Sequence, residues 1–65
     1  MRISVNGKAR EVEAATLAAL LAELDYGDAT VATALNQSFV RAADRAATVL
    51  REGDAVEILT PRQGG

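Results

Sequence analysis

Apolar and polar positions alternate at the start of the chain. In "RISVNGKAREVE", Ile3 and Val5 fall on one side of an extended segment, and Arg2 and Ser4 fall on the other. That alternation is what a half-buried strand requires. Asn6-Gly7 then reads as a hairpin turn, because a type I′ turn needs positive φ at both central positions and Asn and Gly tolerate it best. A two-residue loop sets Val5 opposite Lys8, Ile3 opposite Arg10 and Met1 opposite Val12. Only Val12 is then apolar on the inner face of the second strand. This is the pattern of an edge strand, whose Lys and Arg stems cover the core and whose charges discourage further pairing.

The period changes in "TLAALLAELDYG". Leu17, Leu20, Leu21 and Leu24 sit at i, i+3, i+4 and i+7, one apolar stripe of a helix. Thr16 is the expected N-cap and Gly27 the expected terminator. A helix of about ten residues does not hold alone in water, so the Leu stripe is expected to dock on the sheet. "TVATALNQSFV" predicts a third strand, a turn near Asn36-Gln37 and a short fourth strand at Phe39-Val40. Val31 and Leu35 are assigned to the inner face, while Ala32 and Ala34 leave the facing open. "RAADRAA" suits a helical turn, followed by Val49 and Leu50 as core plugs. "REGD" is a turn with Gly53 at positive φ. "AVEIL" is the last strand, with Val56 and Ile58 inward and Glu57 and Leu59 outward. Tyr26 and Phe39 are assigned to packing of a small core. Asp44 and Asp54 are assigned to turns, and the remaining acids mostly to solvated surface.

Strand, strand, helix, strand, strand, strand predicts an α+β domain: a mixed sheet of about five strands with one main helix across one face. Pro61 has no N–H and ends the ladder. The expected division is a folded domain over residues 1–59 and a flexible tail over residues 60–65. Six extended residues reach at most about 20 Å.

Composition narrows the chemistry. The chain has 65 residues, 49% hydrophobic and 3% aromatic, so Leu, Val, Ile and Ala must fill the core. The formal net charge of −2, without a basic run, argues against nucleic acid as the main partner. Cys and His are both absent. A disulfide framework, the usual zinc and iron–sulfur ligands, a Cys or His nucleophile and a Ser-His-Asp triad are therefore excluded. No apolar run approaches the roughly 20 residues of a membrane span, and "MRISVNG" lacks the apolar stretch of a signal peptide. A cytoplasmic protein with no bound metal or cofactor is expected.

The chain closes on "TPRQGG". Glycine loses the most conformational freedom on ordering and has no side chain to pack, so a terminal pair contributes almost nothing to a fold. It becomes useful where a thin, extended end must enter a narrow site. "ISVNGK", "TLAALLAEL", "ALNQSFV", "LREGDAVEIL" and the final "GG", in this order over essentially the whole chain, resemble the ThiS/MoaD-type β-grasp sulfur carriers. Within that family they are most similar to the carriers of the thiamine pathway.

The resemblance implies a β-grasp, ubiquitin-like fold and a protein that is not an enzyme. Gly65 would carry the carboxylate that an E1-like, ThiF-like adenylyltransferase activates with ATP. A sulfur-donor system would convert that group to a thiocarboxylate, which a ThiG-like thiazole synthase would use. Gly64 and Gly65 would thread into the partner's site, with Leu59, Pro61, Arg62 and Gln63 as candidate partner-binding residues. The carrier would bind no cofactor, metal or membrane itself. Two alternatives stay open: a carrier serving molybdopterin or another sulfur-containing metabolite, and a noncovalent β-grasp interaction module.

Overall fold

The computed structural model describes residues 1–27 and 29–61. Five strands, β1 (Arg2–Val5), β2 (Lys8–Glu11), β3 (Ala32–Leu35), β4 (Ser38–Val40) and β5 (Ala55–Leu59), form one sheet in the order β2-β1-β5-β3-β4. β1 and β5 are parallel, and the other neighbours are antiparallel. One helix, α1 (Leu17–Glu23), and one 3-10 helix (Ala42–Ala47) complete the domain.

The first hairpin has the expected register, with Val5 opposite Lys8 and Ile3 opposite Arg10. Its turn needs the left-handed region twice, with φ of 51° at Asn6 and 84° at Gly7. All four residues of β2 are exposed, and Val12 turns inward just beyond it. The second hairpin repeats the device, with φ of 50° at Asn36 and 72° at Gln37.

Helix α1 begins where expected: Thr16 Oγ1 accepts from the Ala19 N–H at 3.1 Å. Leu17 and Leu20 are fully buried, Leu21 is buried, and Leu24 packs on the core. The helix ends sooner than the pattern suggests. Asp25, not Gly27, takes the left-handed position after the last turn, with φ of 67°. The Tyr26 N–H then donates to Leu21 O at 2.9 Å and the Asp25 N–H to Ala22 O at 3.2 Å. These are the paired bonds of a Schellman end, and Asp is one of the few residues that visit this region without Gly's freedom. Gly27, also at positive φ, serves the turn beyond.

Two further expectations need correction. Val49 is 58% exposed, whereas Leu50 is buried. Thr16 and Val49 form an antiparallel bridge, flanked by Leu17 N–H to Thr48 O and Leu50 N–H to Ala15 O, both at 2.9 Å. Neighbours in an extended segment point to opposite sides, so Leu50 can plug the core only if Val49 does not. Phe39 is 70% exposed, for the same reason. Val40 pairs with buried Thr33 and packs on the core, so Phe39 must face the other way. Tyr26 is partly buried against the core, as expected.

Thr33 is the buried polar residue in the middle of the inner face. Its hydroxyl donates to Val40 O at 2.8 Å and accepts from Arg45 Nε at 3.0 Å. Arg45 Nη2 donates to Val31 O at 2.7 Å. One guanidinium thus joins the 3-10 helix to β3. Glu23 performs a comparable task at the other end: its carboxylate accepts from the Glu13 and Ala14 N–H groups, the latter at 2.8 Å.

The Leu stripe is the main contribution of α1 to the core. Leu20→Ala is expected to cost about 2–5 kcal/mol, the range for deleting a buried Leu side chain. Urea denaturation followed by circular dichroism measures it, and an unchanged midpoint would remove the stripe from the core.

Candidate functional site

The sheet has a covered face and an open one. Ile3, Val5, Val56 and Ile58 point toward α1 into the core. The opposite face is set by register. Ala32 lies opposite Leu59, while Ala34 lies between Glu57 and Phe39 on the neighbouring strands. Leu59, Ala32, Ala34 and Phe39 therefore share the outer face of β5, β3 and β4. Directly opposed side chains on one face are close neighbours, with Cβ atoms about 4.5–5.5 Å apart. The Ala pair keeps the surface low between Leu59, 67% exposed, and Phe39. Glu57 stands beside this apolar strip, and Arg41 follows β4, paired with Asp44 at 3.0 Å.

At the end of β5 the strip continues into a shallow depression of about 290 Å³, lined by Thr30, Val31, Ala32, Leu59, Thr60 and Pro61. One side is the start of β3, held by the Arg45 bond to Val31 O. The other side is the root of the tail. Leu59 and Pro61, both expected at a partner surface, are exposed and brought together here. The remaining expected site residues, Arg62, Gln63, Gly64 and Gly65, lie outside the described residues.

Phe39, Ala32 and Ala34 were not among the candidates. Their signal lies in the alternation of "SFV" against Thr33 and Leu35, and it becomes decisive only when the register is known. Among the described residues, no group of three or more acidic side chains could hold a metal ion. No helix there is long and apolar enough to cross a membrane. The chemistry these residues offer is that of a contact surface: apolar, open, edged by charge and leading to Thr60 and Pro61.

A five-stranded mixed sheet with one helix on its inner face is the β-grasp architecture. The model of the ThiS family matches residues 3–65, and the chain belongs to that family. The chain is similar to the thiamine biosynthesis protein ThiS of Geobacter metallireducens seen by crystallography. The two are 35% identical over 100% of both chains, with a TM-score of 0.83. It is also similar to a solution NMR structure of a thiamine biosynthesis protein from Geobacter metallireducens. There the identity is 33% over 100% of this chain and 88% of that one, with a TM-score of 0.81. No curated protein matches the chain.

A surface left open by the fold should tolerate polar substitution. Phe39→Thr and Leu59→Thr, which keep a strand-forming residue, are each expected to change stability by no more than about 0.5 kcal/mol. Losses above about 2 kcal/mol in both, measured by urea denaturation, would assign the two side chains to the core.

Proposed function

We propose that this protein is a sulfur carrier of thiamine biosynthesis, a substrate of its partner enzymes rather than an enzyme. The observation that carries this reading is the extent of the family match, which runs through residue 65 and so includes the Gly pair. The domain acts as a handle and the tail as the reactive arm.

The Gly65 carboxylate is a poor electrophile. In the partner adenylyltransferase its oxygen attacks the α-phosphorus of ATP, and pyrophosphate leaves. Hydrosulfide supplied by the donor system then attacks the acyl carbon and loses its proton, AMP leaves with the bridging oxygen, and sulfur stands in place of one terminal oxygen. A thiazole synthase takes the sulfur from the resulting thiocarboxylate. The acyl-adenylate needs an enclosed site that excludes water. Gly64 and Gly65 suit such a site because no Cβ obstructs their passage.

The outer strip with Leu59 and Phe39 is the docking face in this reading, and Pro61, Arg62 and Gln63 lead the tail toward the site. Covering a large apolar side chain fully yields about 1.5–3 kcal/mol. Association costs about 4–15 kcal/mol. Two such side chains therefore cannot hold a lasting complex without the tail. A carrier that must leave one enzyme for another needs that balance.

Leu59→Asp is expected to weaken binding to the adenylyltransferase while the melting temperature stays near wild type. Arg62→Glu is expected mainly to slow association, more at low salt, because exposed charges act by steering. Surface-immobilised binding assays read both, and unchanged affinity and rates would remove these residues from the interface.

The Gly pair provides the decisive test. One residue added after Gly65 carries the carboxylate past its place, where an error of about 1 Å can cost around 10²-fold. Deleting Gly65 withdraws it by about 3.3–3.6 Å. Gly64→Val adds a branched side chain that stiffens the backbone. All three should fold normally and lose ATP-dependent thiocarboxylate formation, read by intact mass. Normal product from the extended protein, without trimming, would refute the carrier reading. A noncovalent interaction module would tolerate all three changes.

A further inference from the structure

Strand β5 runs between β1 and β3, but β1 is too short to accompany it to the end. The Asn6 N–H donates to Val56 O at 2.9 Å, and the chain then turns away through Gly7. Backbone groups along a strand alternate sides, so the N–H and C=O of Ile58 face the same way as Val56 O. They point at the place that β1 has left. The Asn6 side chain fills it. The Ile58 N–H donates to Asn6 Oδ1 at 2.8 Å, and Asn6 Nδ2 donates to Ile58 O at 3.1 Å. A carboxamide carries a donor and an acceptor like a peptide group, so one side chain adds a rung to the parallel ladder.

We propose that Asn6 is a positioning residue for the tail. By gripping both backbone groups of Ile58, it fixes the point at which Leu59, Thr60 and Pro61 leave the sheet. It thereby sets the region in which the end of the chain is presented to a partner. The position makes two demands. Its φ of 51° requires a residue that tolerates the left-handed region. Its two bonds require a donor and an acceptor on one short side chain. Asn meets both demands, Asp lacks the donor, and Gly has neither group.

The second hairpin supplies an internal control. Asn36 holds the other end of β5: the Ala55 N–H donates to Asn36 Oδ1 at 2.9 Å, and the Asn36 N–H donates to Ala55 O at 2.7 Å. The chemistry and turn position are alike, but this clamp lies where β5 begins, away from the tail.

The test compares Asn6→Gly, Asn6→Asp and Asn36→Gly in the full chain; Gly and Asp both accept the turn. Amide hydrogen exchange by NMR reads the clamp directly. In Asn6→Gly the Ile58 amide should exchange at least about tenfold faster relative to Ser4, whose N–H bonds to Asp54 O. Steady-state adenylation by the partner enzyme with ATP reads the consequence, and this arm rests on the carrier function proposed above. Because the docking face and the residues of the tail itself are unchanged, KM should hold while kcat falls about tenfold, the sign of lost positioning rather than lost binding. Asn6→Asp should fall between wild type and Asn6→Gly. Asn36→Gly should lower the melting temperature to a similar extent and leave kcat at its wild-type value. Equal kcat losses in Asn6→Gly and Asn36→Gly, or no loss in Asn6→Gly, would overturn the proposal. If the wild-type chain is not adenylated at all, the carrier reading fails and exchange alone decides the clamp. A selective increase at Ile58 then supports it, and a uniform increase across the sheet overturns it.

Discussion

The last strand of the chain lies at the centre of its sheet, and every other element is arranged around that placement. β5 has neighbours on both sides, β1 in parallel and β3 antiparallel. Its inward residues Val56 and Ile58 are among the most buried in the domain. A central strand needs partners for the backbone groups on both of its edges, because an unpaired buried peptide group costs about as much as a lost hydrogen bond. β3 serves one edge. The other is served by β1 for two residues and then by Asn6. The first hairpin therefore cannot complete its half of the sheet until β5 has been inserted. Closing so long a loop costs entropy before the contacts reward it.

The same placement divides the labour between the two sheet faces. A domain of this length buries only about 60% of the surface its unfolded chain exposes. Here the core is concentrated on one face, where the α1 Leu stripe and Leu50 meet β1 and β5. The other face carries Ala at several positions, and with them Leu59 and Phe39, large side chains that the fold does not bury. In a chain with a single Phe, leaving that residue exposed gives up a sizeable share of available burial. Because β5 is central and ends at Leu59, Thr60 and Pro61 follow from the edge of this open face. The apolar strip lies next to these two residues.

Much of this was legible from the chain. The first hairpin register followed from Asn6-Gly7 with two-residue alternation, and the Leu stripe followed from 3.6-residue periodicity. Both are local rules, satisfied by residues a few positions apart. Val49 and Phe39 each adjoin a second apolar residue, and only pairing decides which of two such neighbours turns inward. Gly27 is the stronger local signal for the helix end, yet Asp25 takes the left-handed position, and the N–H groups of Asp25 and Tyr26 make the bonds that stop the helix. The bonds of Arg45 to Thr33, Glu23 to residues 13 and 14, and Asn6 to Ile58 left no local trace. Their partners lie 12 positions away for Arg45, 10 and 9 for Glu23, and 52 for Asn6. Nothing in an exposed-looking Arg, Glu or Asn reveals such a partner.

By itself, then, the sequence determined the element types, the facing of β1 and β5, and the family to which the chain belongs, because periodicity, turn chemistry and motif order are properties of short segments. The tertiary structure decided the strand order, which neighbour of each apolar pair is buried, and which side chains finish the backbone's hydrogen bonding. These choices depend on groups distant in the chain that meet only once β5 is seated. The outer strip belongs to the second kind: its residues come from three strands, and only their register assembles them.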